Sequence, residues 1–244
     1  MASAASRRHC AGSARCGRSH VADPAALRRE AADATDVVRR LWDSWEDDAV
    51  IRDVATSRYL DRDQLHYIDF TGQTYAVKGP AIVPRPPQGQ LVVLASTDLV
   101  PEALVDVALV RGATPAELRT RLADVTTPRR FAEIEVALDA PGLTAAERLA
   151  ALDAHRPWPG TGRLRYVGDA AGLIAVLAEL AEVADGVRLI PASLDDDLSE
   201  LSRHVVPALV TRRLATRPLP GATLRSTLGL PRPENRYATA GAPR

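Results

Sequence analysis

Leu91-Val92-Val93-Leu94-Ala95 opens a series of four apolar, β-branched-rich runs, continued by Val105 to Val110, Phe131 to Leu138 and Val187-Arg188-Leu189-Ile190. Near-continuous hydrophobicity of this kind suits strands covered on both faces, as in parallel sheets. Helical signals separate most of the runs. Thr114-Pro115-Ala116-Glu117 and Thr144-Ala145-Ala146-Glu147 have capping-box spacing, in which the Thr hydroxyl and the Glu carboxylate each satisfy a free N–H at the helix start. Leu173, Leu177, Leu180 and Val183 mark another helix after Gly168-Asp169, and Ser193 is placed to cap a last one carrying Leu198, Leu201, Val205 and Leu209. The strand–helix alternation predicts an α/β fold of parallel βα units between Leu91 and Ile190.

Upstream the pattern differs. Asp23-Pro24 pairs a capping carboxylate with a proline that loses no needed donor at the first helical position. A helix is expected to follow, with Leu27, Ala31, Ala34, Val38, Leu41, Trp42 and Trp45 on one apolar face. From Tyr59 to Pro80 short alternating segments, His66 to Phe70 and Gln73 to Val77, flank Thr71-Gly72 and read as a β-hairpin. Pro84 to Pro87 reads as a stiff connector into the first parallel strand, with a PxxP ligand the less economical reading. The domain reading is a basic disordered tail over 1–22, a β/α domain over 23–215 with the hairpin inserted at 59–80, and an extended tail over 216–244.

The chain has 244 residues, 46% of them hydrophobic, enough to bury a sizeable core. Thirty-one basic residues balance thirty-one acidic ones, so no global field draws nucleic acid or an anionic membrane. No apolar run reaches the roughly 18 to 20 residues of a membrane-spanning helix. Cys10 and Cys16 are too few for a disulfide framework, which fits a reducing cytoplasm. With His9 and His20 they do not match the usual zinc-finger spacing, and no metal site is expected.

Three blocks carry a family resemblance: Leu41-Trp42-Asp43-Ser44-Trp45-Glu46-Asp47-Asp48, then His66-Tyr67-Ile68-Asp69 with Gly79-Pro80 and Val83 to Gly89, and finally Leu228 to Tyr237. Spelled in this order, they resemble the luciferase-like flavin-dependent monooxygenases of the nitrilotriacetate, dibenzothiophene sulfone and pristinamycin synthase type. The resemblance implies that the βα units are the C-terminal half of a TIM-like (β/α)8 barrel, about four units with an inserted hairpin. The family's first four strands have no counterpart here. It also implies reduced FMN supplied by a separate reductase, oxygen as co-substrate and a small organic substrate. No GxGxxG or Walker sequence is present, consistent with a reductase that is a different protein.

In the family, a small-residue loop after a barrel strand holds the flavin phosphate through N–H and hydroxyl donors. The corresponding stretch here is Ala95-Ser96-Thr97-Asp98-Leu99-Val100-Pro101. Ser96 and Thr97 keep the hydroxyl donors and are the implied cofactor-binding residues. The stretch lacks the glycines that allow close backbone approach, and Asp98 adds a negative charge. No catalytic residue is named, because the contacts drawn from the first strands have nothing here to inherit them. His66, His155 and His204 read as packing or surface residues, and Asp195-Asp196-Asp197 as carboxylates complementing a helix N-terminus. Two open strand edges predict self-association, as a homo-oligomer. A non-catalytic flavin-binding or interaction protein and a truncated gene product are the alternative readings.

Overall fold

The computed structural model describes residues 23–238 and divides into two compact units. The expected tail at 1–22, with Cys10, Cys16, His9 and His20, lies outside the described residues. The first unit holds residues up to Arg85, Asp98–Val100 and the segment from Asn235; the second holds Pro86–Thr97 and Pro101–Glu234.

In the first unit, helix α1 (Pro24–Asp43) starts as expected, with the Asp23 carboxylate accepting from the N–H groups of Ala25 and Ala26. Its buried face departs from the apolar spacing. Leu27 and Val38 are exposed, whereas Asp33, Val37 and Asp43 are buried. The reason is the hairpin, β1 (Phe70–Thr71) paired antiparallel with β2 (Ala76–Val77), which joins Val37 to Ile68 and Phe70 in a small core. The Asp33 carboxylate accepts from the N–H and hydroxyl of Thr74, at 2.7 and 2.6 Å. Gly72 makes this approach possible, since a Cβ there would lie 2.6 Å from both the Asp33 carboxyl and the Phe70 ring.

The family blocks converge on Asp43. Arg85 donates Nε and Nη2 to Asp43 Oδ1 at 3.0 and 2.9 Å, and Nη1 to Asp47 at 3.1 Å. The guanidinium is buried, so the proline-flanked Arg85 is an internal lock and the connector reading of Pro84 to Pro87 stands. Asn235 Nδ2 donates to the carbonyls of Asp43 and Trp45, and Tyr237 stacks on His66, which bonds Glu46 at 2.7 Å. His66 is therefore packed and paired.

The second unit is a five-stranded parallel sheet: β3 (Leu94–Ser96), β4 (Val107–Val110), β5 (Arg129–Leu138), β6 (Leu164–Gly168) and β7 (Gly186–Pro191). The expected parallel βα units are present, with one strand more than the apolar runs suggest. Leu164–Gly168, outside the four apolar runs, pairs with β5. β5 is the hub. Residues 129–132 pair with β4, 134–138 with β6, and 131–136 with β7. Because Phe131, Ala132 and Ile134 to Val136 each pair with β7 as well as with β4 or β6, those two follow one another along one edge of β5 and β7 lies on the other.

Helices cover one face of this sheet. Ala132, Ile134, Val136 and Leu138 of β5 pack with Leu118 and Leu122 of α2 (Pro115–Asp124) and with Leu173, Ile174, Leu177 and Leu180 of α4 (Ala170–Leu180). Leu201, Val205 and Leu209 complete the cluster from the helical segment that runs as α5 (Leu194–Glu200), a π-helical turn (Leu201–Val205) and α6 (Val206–Thr211). Fully burying one such leucine is worth about 1.5–3 kcal/mol. The short helix α7 (Leu224–Thr227) carries Arg225, buried and donating to Gln90 O at 2.7 Å and to Asp106 at 3.0 Å. Arg225 thereby ties the C-terminal segment to the entries of β3 and β4.

Of the two expected capping boxes one is complete, since Glu117 takes the N–H of Ala113 in place of that of Thr114. Thr144 and Glu147 close both bonds of a capping box on α3 (Ala145–His155), and Asp169 caps α4 through the N–H of Gly172. Ser193 makes no side-chain cap on α5. Asp197, fully buried, takes the N–H groups of Ser193 and Leu138 at 2.8 and 2.9 Å and Arg148 Nη2 at 2.6 Å. The acidic run therefore links β5 to the segment after β7, which dipole complementarity alone does not describe.

Two expectations follow. Replacing Asp197 with Ala leaves the buried Arg148 guanidinium with Asp196 as its remaining carboxylate partner, and should cost about 3–5 kcal/mol in urea unfolding. Leu198→Ala at an exposed neighbour should stay within about 0.5 kcal/mol. The second expectation concerns Glu147, whose carboxyl is held below its ordinary value of 4.5 by the Thr144 hydroxyl and then by the Thr144 N–H. A depressed folded pKa gives stability present above the unfolded value and lost as pH falls through the folded one. Wild type should therefore exceed Thr144→Ala in stability above about pH 5, with the gap narrowing as pH falls below the ordinary glutamate range.

Candidate functional site

Register assigns side chains to the face of the sheet opposite the helices. Parallel partners point to the same side, so Leu94 and Ser96 of β3 share this face with Val107 and Leu109 of β4, Phe131, Glu133 and Glu135 of β5, Arg165 of β6 and Gly186, Arg188 and Ile190 of β7. The apolar runs suggested strands with both faces apolar and covered. The Glu133-Ile134-Glu135-Val136 stretch instead alternates, its even members entering the core and its odd members facing away from the helices.

Ser96 closes β3 at the C-terminal end of the sheet and Thr97 begins the turn that follows, both half-buried. The structure thus places the two sequence-predicted residues together, with the Ser96 side chain on the helix-free face. Asp98, next in the chain, belongs to the first unit, where its carbonyl accepts from Arg28 Nε at 2.7 Å. The C-terminal ends of parallel strands are where β/α folds hold their ligands, because loops there diverge around an opening. His155 lies at the exposed end of α3, with Nδ1 2.9 Å from Ala151 O, and His204 Nε2 lies 3.6 Å from Glu200.

A charged network missed at the level of sequence fills the middle of this face. Glu133 and Glu135 are almost wholly buried, their side chains 3% exposed. Glu133 accepts from Arg163 Nε at 3.0 Å and Arg188 Nη1 at 2.9 Å. Glu135 accepts from Arg165 Nε and Nη2 at 3.1 and 2.9 Å and from the Thr161 hydroxyl at 2.6 Å. The Arg165 guanidinium also lies 3.8 Å from the centre of the Trp158 ring. Two of these pairs are direct cross-strand neighbours in the register, Glu133 with Arg188 and Glu135 with Arg165. The signal available in the sequence was period-two alternation of Glu within β5; the arginines come from strands more than twenty residues downstream and carry no local mark.

One other residue shapes the face. A Cβ at Gly186 would lie 2.6 Å from the Phe131 ring, so glycine lets that ring lie across β7. Among the described residues no group of three His, Cys, Asp or Glu side chains is arranged to hold a metal ion, and no helix is long and apolar enough to cross a membrane.

Glu133→Gln keeps the side-chain shape and removes the charge that both guanidiniums share. It should destabilise the chain by about 1–3 kcal/mol, the range for a buried polar group losing charged partners. The urea midpoint measures this, and a wild-type midpoint would show that the network contributes nothing to folding.

No family model matches the chain. A pristinamycin IIA synthase component from Streptomyces pristinaespiralis is 33% identical over 207 residues, covering 85% of this chain and 58% of that protein. Nitrilotriacetate monooxygenase component A of Aminobacter aminovorans is 47% identical over 58 residues, 24% of this chain and 13% of that protein. A crystal structure of riboflavin lyase with modified FMN and substrate riboflavin matches with a TM-score of 0.65 and 21% identity, over 89% of this chain and 64% of that one. The chain spans less than two thirds of the length of each. The likeness to riboflavin lyase is one of fold, and the sequence relationship to the pristinamycin synthase runs through both units. By sequence the chain resembles monooxygenases of the luciferase-like type, and its fold is shared with the riboflavin lyase.

Proposed function

We propose that this chain takes part in an FMN-dependent monooxygenation, in which a small organic substrate is oxidised by oxygen with reduced flavin delivered by a separate reductase. The observation that carries the reading is the 33% identity to the pristinamycin IIA synthase component along 85% of the chain. A fold shared with a riboflavin lyase whose crystal structure contains modified FMN supports the cofactor.

The chain's own residues supply binding groups. Ser96 and Thr97 offer two hydroxyl donors at the C-terminal end of β3, a chemistry that suits a phosphate monoester. Bound there, reduced flavin would supply the electrons that activate oxygen, while the protein orients the substrate and excludes water. Buried Glu133 and Glu135 are fully engaged with arginines and serve the shape of the face, so no proton-transfer role is given to them. A second copy of the chain is the proposed partner at the sheet edges, because β3, β6 and β7 each pair with one other strand among the described residues. A cytoplasmic location is part of the same proposal.

Titration with FMN, followed by flavin fluorescence, tests the phosphate site. Ser96→Ala combined with Thr97→Ala should weaken binding at least about tenfold, since one charge-assisted hydrogen bond contributes about 1.5–3 kcal/mol. Affinity unchanged by the double substitution would remove Ser96 and Thr97 from the site, and an absence of FMN binding together with no turnover alongside a reductase would sink the reading itself.

A further inference from the structure

The arginines of the helix-free face have more donors than Glu133 and Glu135 use. Three guanidiniums, Arg163, Arg165 and Arg188, meet two carboxylates, leaving one positive charge in excess. The carboxylates lie at the floor, 3% exposed, and the arginines stand outward, their side chains 23%, 31% and 56% exposed. Arg163 and Arg188 grip opposite oxygens of the same Glu133 carboxylate, one arriving from just ahead of β6 and the other from β7. Arg188 engages only Nη1, so its Nε and Nη2 have no partner among the described residues. Arg163 likewise engages Nε and, at 3.9 Å, Nη1, leaving Nη2. Arg165 is more fully occupied, with both donors on Glu135, a bond to Pro159 O and the Trp158 ring beneath it.

We propose that Arg163 and Arg188, which hold the two oxygens of Glu133 from either side of β5, form with Arg165 on neighbouring Glu135 a binding site for a small anion bearing a carboxylate or phosphate group. Three physical points support it. Planar guanidinium forks match carboxylate and phosphate oxygens two at a time. The carboxylates beneath already fix the side chains, so little rotamer freedom is lost when a ligand arrives. Buried ion pairs are also a costly way to build a sheet face, since apolar side chains of similar volume hold a fold as well or better. The opposite face of β5 does so with Ala132, Ile134, Val136 and Leu138. The site is independent of the flavin phosphate assignment, because it does not use Ser96 or Thr97.

The probes are inorganic phosphate and succinate, each titrated calorimetrically into the full chain against sodium chloride at matched ionic strength. Saturable binding of at least one is expected; phosphate alone points to a phosphate ester as the natural ligand, and succinate alone to a carboxylate. Arg188→Gln should weaken binding about tenfold, and Arg188→Lys, which keeps the charge without the fork, should fall between. Circular dichroism reports whether each variant folds, which is expected because Arg188 is half-exposed and Glu133 retains Arg163. Ser96→Ala should leave the succinate affinity lost in Arg188→Gln intact, whereas any phosphate held by Ser96 and Thr97 would be lost in Ser96→Ala and kept in Arg188→Gln. FMN affinity lowered by Arg188→Gln and indifferent to Ser96→Ala would support the anion site and move the flavin phosphate to it. No saturable binding of either probe, or equal affinity in folded Arg188→Gln, overturns the proposal.

Discussion

Strand β5 must satisfy two unlike environments along ten residues, and the second unit is arranged around that demand. Its even-numbered side chains enter an apolar cluster shared with three helical segments. Its odd-numbered side chains at 133 and 135 are carboxylates that would be orphaned in a buried setting without cationic partners. Those partners come from the two strands that flank β5 at this level, β6 and β7, and cross-strand register brings them opposite. Pairing with three strands therefore has a chemical consequence as well as a topological one. A one-residue slip of β7 would move Arg188 to the helical face and take a guanidinium from Glu133.

The first unit depends on a comparable point. Asp43 lies at the end of α1, where it receives Arg85 from the proline-flanked segment and the amide of Asn235 at its carbonyl. Removal of either charge would leave the other buried without its main partner, the situation in which buried pairs matter most. The blocks that carry the family resemblance in this unit are thus explained by packing: Trp45 is anchored by its indole N–H to Ala81 O, His66 is bonded to Glu46 and covered by Tyr237, and Arg85 is enclosed. A resemblance read from such blocks speaks to a shared scaffold, and function has to be argued from the sheet.

On the sheet, two sets of donors carry the two proposals. Ser96 and Thr97 stand at a C-terminal strand end, and the arginine group stands on the same helix-free face. Both offer donors to oxygen anions. The first does so with neutral hydroxyls and the second with fixed charge, so ionic strength separates the two: screening weakens a charged site far more than a neutral one.

Residue order was enough to establish the parallel α/β class, the start of α1 at Asp23-Pro24, the caps at Thr114 and Thr144, and the resemblance to luciferase-like monooxygenases, because caps, periodicity and motif blocks are local and leave a local trace. Folding in three dimensions was needed to settle which face of α1 is buried, that Ser193 is not a cap, that Leu164–Gly168 is a strand, and that one face of β5 is lined with ion pairs. Each of these depends on a partner distant in the chain: the hairpin holding Asp33, Asp197 reaching Leu138, β5 offering an edge to β6, and Arg188 arriving opposite Glu133. A charged residue in an apolar run reads as solvent-facing when its neighbours in sequence are all that is known; only register across strands shows it neutralised and buried.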